Sequence, residues 1–315
     1  MEPLGPHELA HVFRHLTDLA DIVRARAVCH KWRELMSPPR VNGAPLADVL
    51  RLAPNKILEV ACSTGSLNPA NSLDLAKYAV SHGATNLNGG LYYACLNGRK
   101  EIAELMIRHV ANDFYRGLSG ACNGGHKELA ELMISWGATN FNDGLHNACR
   151  GKHKELVELM ISHGAANFNG GLYHACCGGH KEIVELMISH GATDFNWGLR
   201  VACRGGHKEM AEFMISHGAT DFNRGLYDAC EGGSAEMINF MINRGANDFD
   251  EALIIACDGG KKEIVELVIS HGATNFNYAL QVACEDGHDE IAKLIGNRVP
   301  TAACGHCGRL GAEHV

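Results

Sequence analysis

Gly171-Leu172-Tyr173-His174-Ala175-Cys176-Cys177-Gly178-Gly179-His180-Lys181-Glu182-Ile183-Val184-Glu185-Leu186-Met187-Ile188-Ser189-His190-Gly191-Ala192-Thr193-Asp194-Phe195-Asn196-Trp197 is one period of a pattern that runs down most of this chain. Its Ala-Cys pair recurs every 27 residues, with the cysteine at Cys95, Cys122, Cys149, Cys176, Cys203, Cys230, Cys257 and Cys284. A fixed period of this size marks a stack of small supersecondary units, each packing only on its neighbours. In the first half of the unit, Leu172, Ala175 and Cys176 fall at i, i+3 and i+4, one face of a short helix that Gly178-Gly179 ends. A second helix follows, with Ile183, Val184, Leu186, Met187 and Ile188 on its apolar face and Glu182 and Glu185 on the other, until Gly191-Ala192 stops it.

At 100° per residue, the positions two before and one after the cysteine point most nearly away from the Leu/Ala/Cys face. Those positions vary: Tyr93, Gly120, Asn147, His174, Val201, Asp228, Ile255 and Val282 precede it, and Leu96, Asn123, Arg150, Cys177, Arg204, Glu231, Asp258 and Glu285 follow it. Four before the cysteine, each of these units carries leucine. A uniform core beside a variable outer row predicts a scaffold that presents a recognition surface. Aromatic and arginine side chains supply most interface hot spots, at about 2 kcal/mol or more each. The candidate partner-binding residues are therefore Tyr92, Tyr93, Arg150, Tyr173, Trp197, Arg200, Arg204, Tyr227 and Tyr278. The competing reading is that Trp197 and the tyrosines brace adjacent turns.

Composition narrows the function classes. The chain has 315 residues and a net charge of −8, and most units carry more acid than base, which argues against a nucleic-acid partner. No uncharged apolar stretch reaches the roughly 18 residues of a membrane span, and the opening Glu2, Pro3 and Pro6 are unlike a secretory leader. A soluble, cytoplasmic, monomeric protein without cofactor is expected. The 13 cysteines mostly sit at the repeat period. Equivalent positions in stacked units lie about 10 Å apart, too far for an in-register disulfide or a shared zinc ion. They read as small buried apolar residues whose free thiols suit a reducing compartment. No phosphate loop, nucleophile elbow or two-histidine metal helix is present, so no catalytic residue is assigned.

Gly-His-Lys-Glu-Ile-Val-Glu-Leu-Met-Ile-Ser-His-Gly-Ala, at 179–192, resembles the second helix and turn of an ankyrin repeat, and Leu-x-x-Ala-Cys-x-x-Gly-His resembles its first helix. The resemblance implies an all-α, ankyrin-like helical solenoid. Ankyrin repeats are about 33 residues long, and the missing six fall where the family has its β-hairpin, so truncated turns with little strand are expected. Leu87, Phe114, Phe141, Phe168, Phe195, Phe222, Phe249 and Phe276 recur in that turn, and a ladder of buried rings there could replace the lost pairing. Cys62 lies 33 before Cys95, but its extra residues, Ser66 to Asn71, separate its two helices, which gives nine units over 55–298. His126, His153, His180, His207 and His288 open second helices. The resemblance implies that they hydrogen-bond within the helix turn. His82, His109, His163, His190, His217 and His271 close second helices, where a cation is favoured by about 0.3–1 kcal/mol. The row Glu101, Glu128, Glu155, Glu182, Glu209, Glu236, Glu263 and Glu290 complements the helix dipole, with Lys127 and Lys181 placed to pair four residues on with Glu131 and Glu185.

Residues 1–40 do not share the repeat, and Pro38, Pro39 and Pro45 mark a boundary, followed by a linker over 41–54. Leu9, Val12, Phe13 and Leu16, then Ile22, Val23 and Val28, then Trp32 and Leu35, predict three short helices, which a stack also needs as a cap. Leu4-x-Pro6-His7-Glu8-Leu9-Ala10-His11-Val12-Phe13-Arg14-His15-Leu16 and Asp21-Ile22 through Trp32-Arg33-Glu34-Leu35 resemble an F-box. The proline lies one residue late, and one extra residue separates Leu16 from Asp21. The resemblance implies binding of the Skp-type adaptor of a cullin-RING ubiquitin ligase through Leu9, Val12, Phe13, Ile22 and Trp32, with the repeats capturing an unknown target protein. The combination is similar to proteins of large DNA viruses of protists, for which the setting would be the host cytoplasm. The alternatives are an ankyrin scaffold without ligase recruitment and, in the tail over 299–315, a metal or redox role for the Cys304-x-x-Cys307 pair, which lacks the second pair that a structural zinc site needs.

Overall fold

The structure, a computed structural model, describes residues 40–41, 44–45, 53–63 and 69–299. The F-box-like helices with Leu9, Val12, Phe13, Ile22 and Trp32, and the tail with Cys304 and Cys307, lie outside the described residues. Arg40–Val41 and Ala44–Pro45 pair antiparallel, Arg40 opposite Pro45 and Val41 opposite Ala44. Everything else regular among the described residues is α-helix.

The chain divides into two compact units, Met1–Ala166 and Asn167–Val315. The first unit holds four helix pairs: Pro54–Ser63 with Pro69–Ser81, Leu87–Leu96 with Lys100–Arg108, Phe114–Gly124 with Lys127–Ser135, and Phe141–Arg150 with Lys154–Ser162. The second holds five: Phe168–Cys177 with Lys181–Ser189, Phe195–Gly205 with Lys208–Ser216, Phe222–Gly232 with Ala235–Asn243, Phe249–Asp258 with Lys262–Ser270, and Phe276–Glu285 with Asp289–Gly296. These are the nine pairs that the period requires.

The core explains why the pattern is so uniform. Leu, Ala and Cys of the first helix are buried, as Leu118, Ala121 and Cys122 illustrate, against residues of the second helix such as Leu129, Ala130 and Met133. A glycine five before the cysteine makes room for the methionine. A Cβ on Gly117 would lie 2.5 Å from Met133 Sδ, and one on Gly225 2.6 Å from Met241 Sδ. The cysteine fills the next gap: Cys203 Sγ lies 3.3 Å from the Cβ position of Gly225, one period on. Burial pushes Cys95, Cys122, Cys149, Cys176, Cys203, Cys230 and Cys257 up to about 12, so they are inert small apolar residues at neutral pH. Cys284 departs from the expectation of free thiols throughout. It is disulfide-bonded and only half-buried.

The shortened turn is held by asparagine and not by buried rings. Asn196 Oδ1 accepts the backbone N–H groups of Thr220 and Asp221 at 2.8 and 3.0 Å. Asn169 does the same for Thr193 and Asp194, and Asn223 for Asn247 and Asp248. In the first unit, Asn55 serves Thr85 and Asn86, and Asn88 serves Asn112 and Asp113. One side chain thus satisfies the two backbone donors that a β-hairpin would have paired. The phenylalanines are half-buried and stack within a repeat, Phe141 on His163 at 5.2 Å and Phe168 on His190 at 5.3 Å.

The histidines that open second helices also join neighbouring repeats, which corrects the expectation of a bond within the turn. His153 Nε2 meets Asn123 O at 3.2 Å, His207 Nε2 meets Cys177 O at 3.0 Å and His288 Nε2 meets Asp258 O at 3.1 Å. Each ring reaches back to a carbonyl left unsatisfied at the end of the preceding first helix. Lys261 takes the same role with its ammonium on Glu231 O. Lysines follow the same logic. Lys127 lies 3.8 Å from Glu155, one repeat on, and not beside Glu131, whereas Lys181 does pair with Glu185 at 4.0 Å.

Candidate functional site

The variable row is not a single outward face. Two before the cysteine, Gly120, Val201 and Asp228 are buried. A Cβ on Gly120 would sit 2.7 Å from the Tyr92 carbonyl oxygen, so adjacent first helices touch at this position. Counting angles on an isolated helix overlooks the neighbours that stacking places on its flanks. One after the cysteine, Arg150 and Arg204 are exposed as expected, but Leu96 and Asn123 are half-buried.

In the first unit, Tyr92 is half-buried and Tyr93 is exposed, their rings 5.2 Å apart edge to face. The Arg116 guanidinium lies 5.4 Å from the centre of the Tyr92 ring, a favourable placement over its negative face. Arg150 is exposed at the end of its helix.

In the second unit, most of the candidates are already engaged. Tyr173 packs edge to face on Trp197 at 5.5 Å and on His174 at 5.0 Å, with Trp197 itself exposed. Arg200 Nε donates to Asp228 Oδ2 at 2.7 Å. Arg204 Nη2 donates to Asp228 Oδ1 at 2.5 Å and to Glu231 Oε2 at 2.6 Å. Asp228 is 3 % exposed, and a carboxylate so buried requires such compensation. The hydrogen bond to Asp228 holds the Arg200 proton more firmly than usual, against the cost of desolvation. Tyr227 donates its hydroxyl to Asp248 and lies under the Arg224 guanidinium at 5.6 Å. Burial first, then that bond, raises the Tyr227 hydroxyl above its ordinary pKa. Tyr278 is exposed.

Sequence reasoning therefore grouped residues of two kinds. Tyr93, Arg150, Trp197 and Tyr278 present surface, whereas Arg200, Arg204 and Tyr227 are fixed in place, although each guanidinium keeps part of its surface in water. It missed three exposed apolar residues, Val110, Tyr115 and Trp136. Their signal was available: each replaces the residue type that most other units carry at that position, glycine, asparagine and histidine. No group of three or more His, Cys, Asp or Glu able to hold a metal ion occurs among the described residues.

Two family models match the chain. The family model "Ankyrin repeats (3 copies)" matches residues 118–197, 145–225 and 226–301, more than half of the chain. The "F-box-like" family model matches residues 6–41. No protein of curated function matches the chain. Among solved structures, the human ASB11 ankyrin repeat domain is similar at 22 % identity and a TM-score of 0.41, covering 56 % of this chain and 96 % of that one. Both matched families are typically interaction modules without catalysis, which supports a protein-interaction role. With a 27-residue period, helix pairs in both units and matched models from 118 to 301, the chain belongs to the ankyrin-repeat family and carries an F-box-like domain at its N-terminus.

Proposed function

We propose that this protein is a non-enzymatic substrate receptor of a cullin-RING ubiquitin ligase. The observation that carries the reading is the presence of an F-box-like match over 6–41 on the same chain as ankyrin repeats. Leu9, Val12, Phe13, Ile22 and Trp32 would contact a Skp-type adaptor, because so short a segment cannot bury all of these side chains in its own core. The repeats would take the target protein through the exposed members of the first-helix row, Tyr93, Arg150, Trp197 and Tyr278. A cytoplasmic site of action belongs to the same proposal, supported by the free thiols of nine of the ten cysteines among the described residues, Cys284 being the disulfide-bonded exception.

The test is binding of the purified full chain to the Skp-type adaptor of its own organism. Binding should be measurable, and removal of residues 1–40 should abolish it while the helical melting transition remains. No binding to the matched adaptor, together with destabilisation around Leu58 and Cys62 once 1–40 are removed, would leave an ankyrin scaffold whose N-terminal segment is a cap.

A further inference from the structure

We propose that the turn edge of the first unit is a second docking surface, for a partner-protein segment that sets an apolar side chain beside acidic ones. Four departures from the repeat coincide there. Val110 stands where seven of the other eight units carry glycine, the exception being Val299 in the last, Tyr115 where they carry asparagine or aspartate, Trp136 where most carry histidine, and Arg108 where most carry serine. Val110 is 82 % exposed, Tyr115 52 % and Trp136 53 %. A single exposed apolar residue needs no explanation, but three that share one edge do.

The surface is also preorganised. The Trp136 ring lies 5.8 Å from Phe114, and the Thr139 hydroxyl donates to the Tyr115 hydroxyl at 3.3 Å. The turn that Val110 begins and Tyr115 ends is pinned by Asn88 Oδ1, which accepts from Asn112 and Asp113 at 2.9 and 3.1 Å. Val110 keeps φ at +76°, a left-handed conformation that suits glycine and strains a β-branched residue. Backbone strain of this kind is associated with ligand clamps and switch regions, and here it presents an isopropyl group to solvent.

Charge decides among occupants. Two exposed guanidiniums stand next to these residues in the chain: Arg108, two before Val110, 74 % exposed and 3.4 Å from Glu104, and Arg116, beside Tyr115, over the Tyr92 ring and in no ion pair among the described residues. A peptide is small enough to meet these two cations alone. A broad anionic membrane would also meet the exposed carboxylate of Asp143, in the first turn of the next first helix. A second copy would bring a net charge of −8 against −8.

The inference does not depend on the ligase reading, because its test contains no adaptor. The full chain is immobilised and a random-peptide phage library is selected on it. Enriched peptides should combine Trp, Phe or Leu with Asp or Glu. A synthetic representative should bind at least tenfold more weakly to the triple variant V110G/Y115N/W136H, in which each position takes the residue its row already uses, so that helicity and melting are retained. Arg116→Glu, a change at an exposed side chain, should weaken the acidic peptide at least threefold and strengthen one whose acids are replaced by lysine. The proposal is overturned by no enrichment, by equal binding to the triple variant, or by unchanged affinity in Arg116→Glu. It is equally overturned if the triple substitution abolishes self-association in sedimentation velocity or binding to phosphatidylserine vesicles.

Discussion

In the second unit, Arg200 and Arg204 turn onto the buried carboxylate of Asp228, one repeat on, and Arg204 also holds Glu231. In the first unit, Val110, Tyr115 and Trp136 find no such complement and stay in water. Both groups interrupt the same repeat, yet one became part of the stack and the other remained surface. The difference lies in the partner 24 to 28 residues away. Arg200 and Arg204 meet an acid at those separations, whereas Tyr115 reaches Thr139 only through its hydroxyl at 3.3 Å and leaves its ring exposed. In a repeat protein, a residue that varies is functional or structural according to what stands at the same place in the adjacent repeat.

The largest expected effect comes from moving a residue between the regions. Gly120→Val gives the first unit the residue that the second carries at Val201, but the new Cβ would meet the Tyr92 carbonyl 2.7 Å away. Unfolding free energy from urea titration should fall by about 3 kcal/mol, the upper range for overpacking. Unchanged stability would mean that first helices in this unit can separate freely.

The asparagine row offers a reciprocal exchange. Asn196→Ala removes the acceptor of two backbone N–H bonds and should cost about 1–2 kcal/mol. Tyr115→Asn restores the missing acceptor in the first unit and should gain about 1 kcal/mol. A loss on Tyr115→Asn would show that the tyrosine ring stabilises its turn more than the rung does. Val110→Gly should raise stability by about 1 kcal/mol, since glycine accepts φ +76° without strain while losing more chain entropy. A lower melting temperature would place the isopropyl group in a stabilising contact.

The smallest effect depends on pH. Asp250 occupies the asparagine row, and bonds from the backbone of Thr274 and Asn275 hold its carboxyl below the ordinary value of 3.8. With the folded pKa depressed, its contribution is present above about 3.8 and is lost as pH falls through the folded value. Asp250→Asn should remove this acid-limb dependence and leave neutral stability nearly unchanged. An unaltered acid limb would assign it to other carboxylates.

Much of the fold was legible because a buried row repeats its chemistry. Ala-Cys every 27 residues, with leucine four before the cysteine, fixed the number of helix pairs and their shared faces. The stabilisation of the turn is not legible, although Asn142, Asn169, Asn196 and Asn223 repeat as regularly as the cysteines. Asparagine is common in turns for local reasons, and nothing along the chain says that its oxygen serves a backbone 24 residues away. The candidate surface was legible in composition and only partly in position. Tyr93 and Trp197 are exposed, but Asp228 at a nominally outer position is buried, because it faces the first helix of the preceding repeat.

The contrast between the two regions is tested most directly by urea unfolding of R200A/R204A and V110G/Y115N/W136H side by side. Removing both arginines leaves Asp228 buried without compensation and should cost about 3 kcal/mol, the low end for a broken buried pair because both guanidiniums are partly exposed. The triple variant should lose nothing and gain up to about 2 kcal/mol from relieved strain and the restored rung. An arginine double variant as stable as the natural chain, or a triple variant that loses stability, would contradict the account.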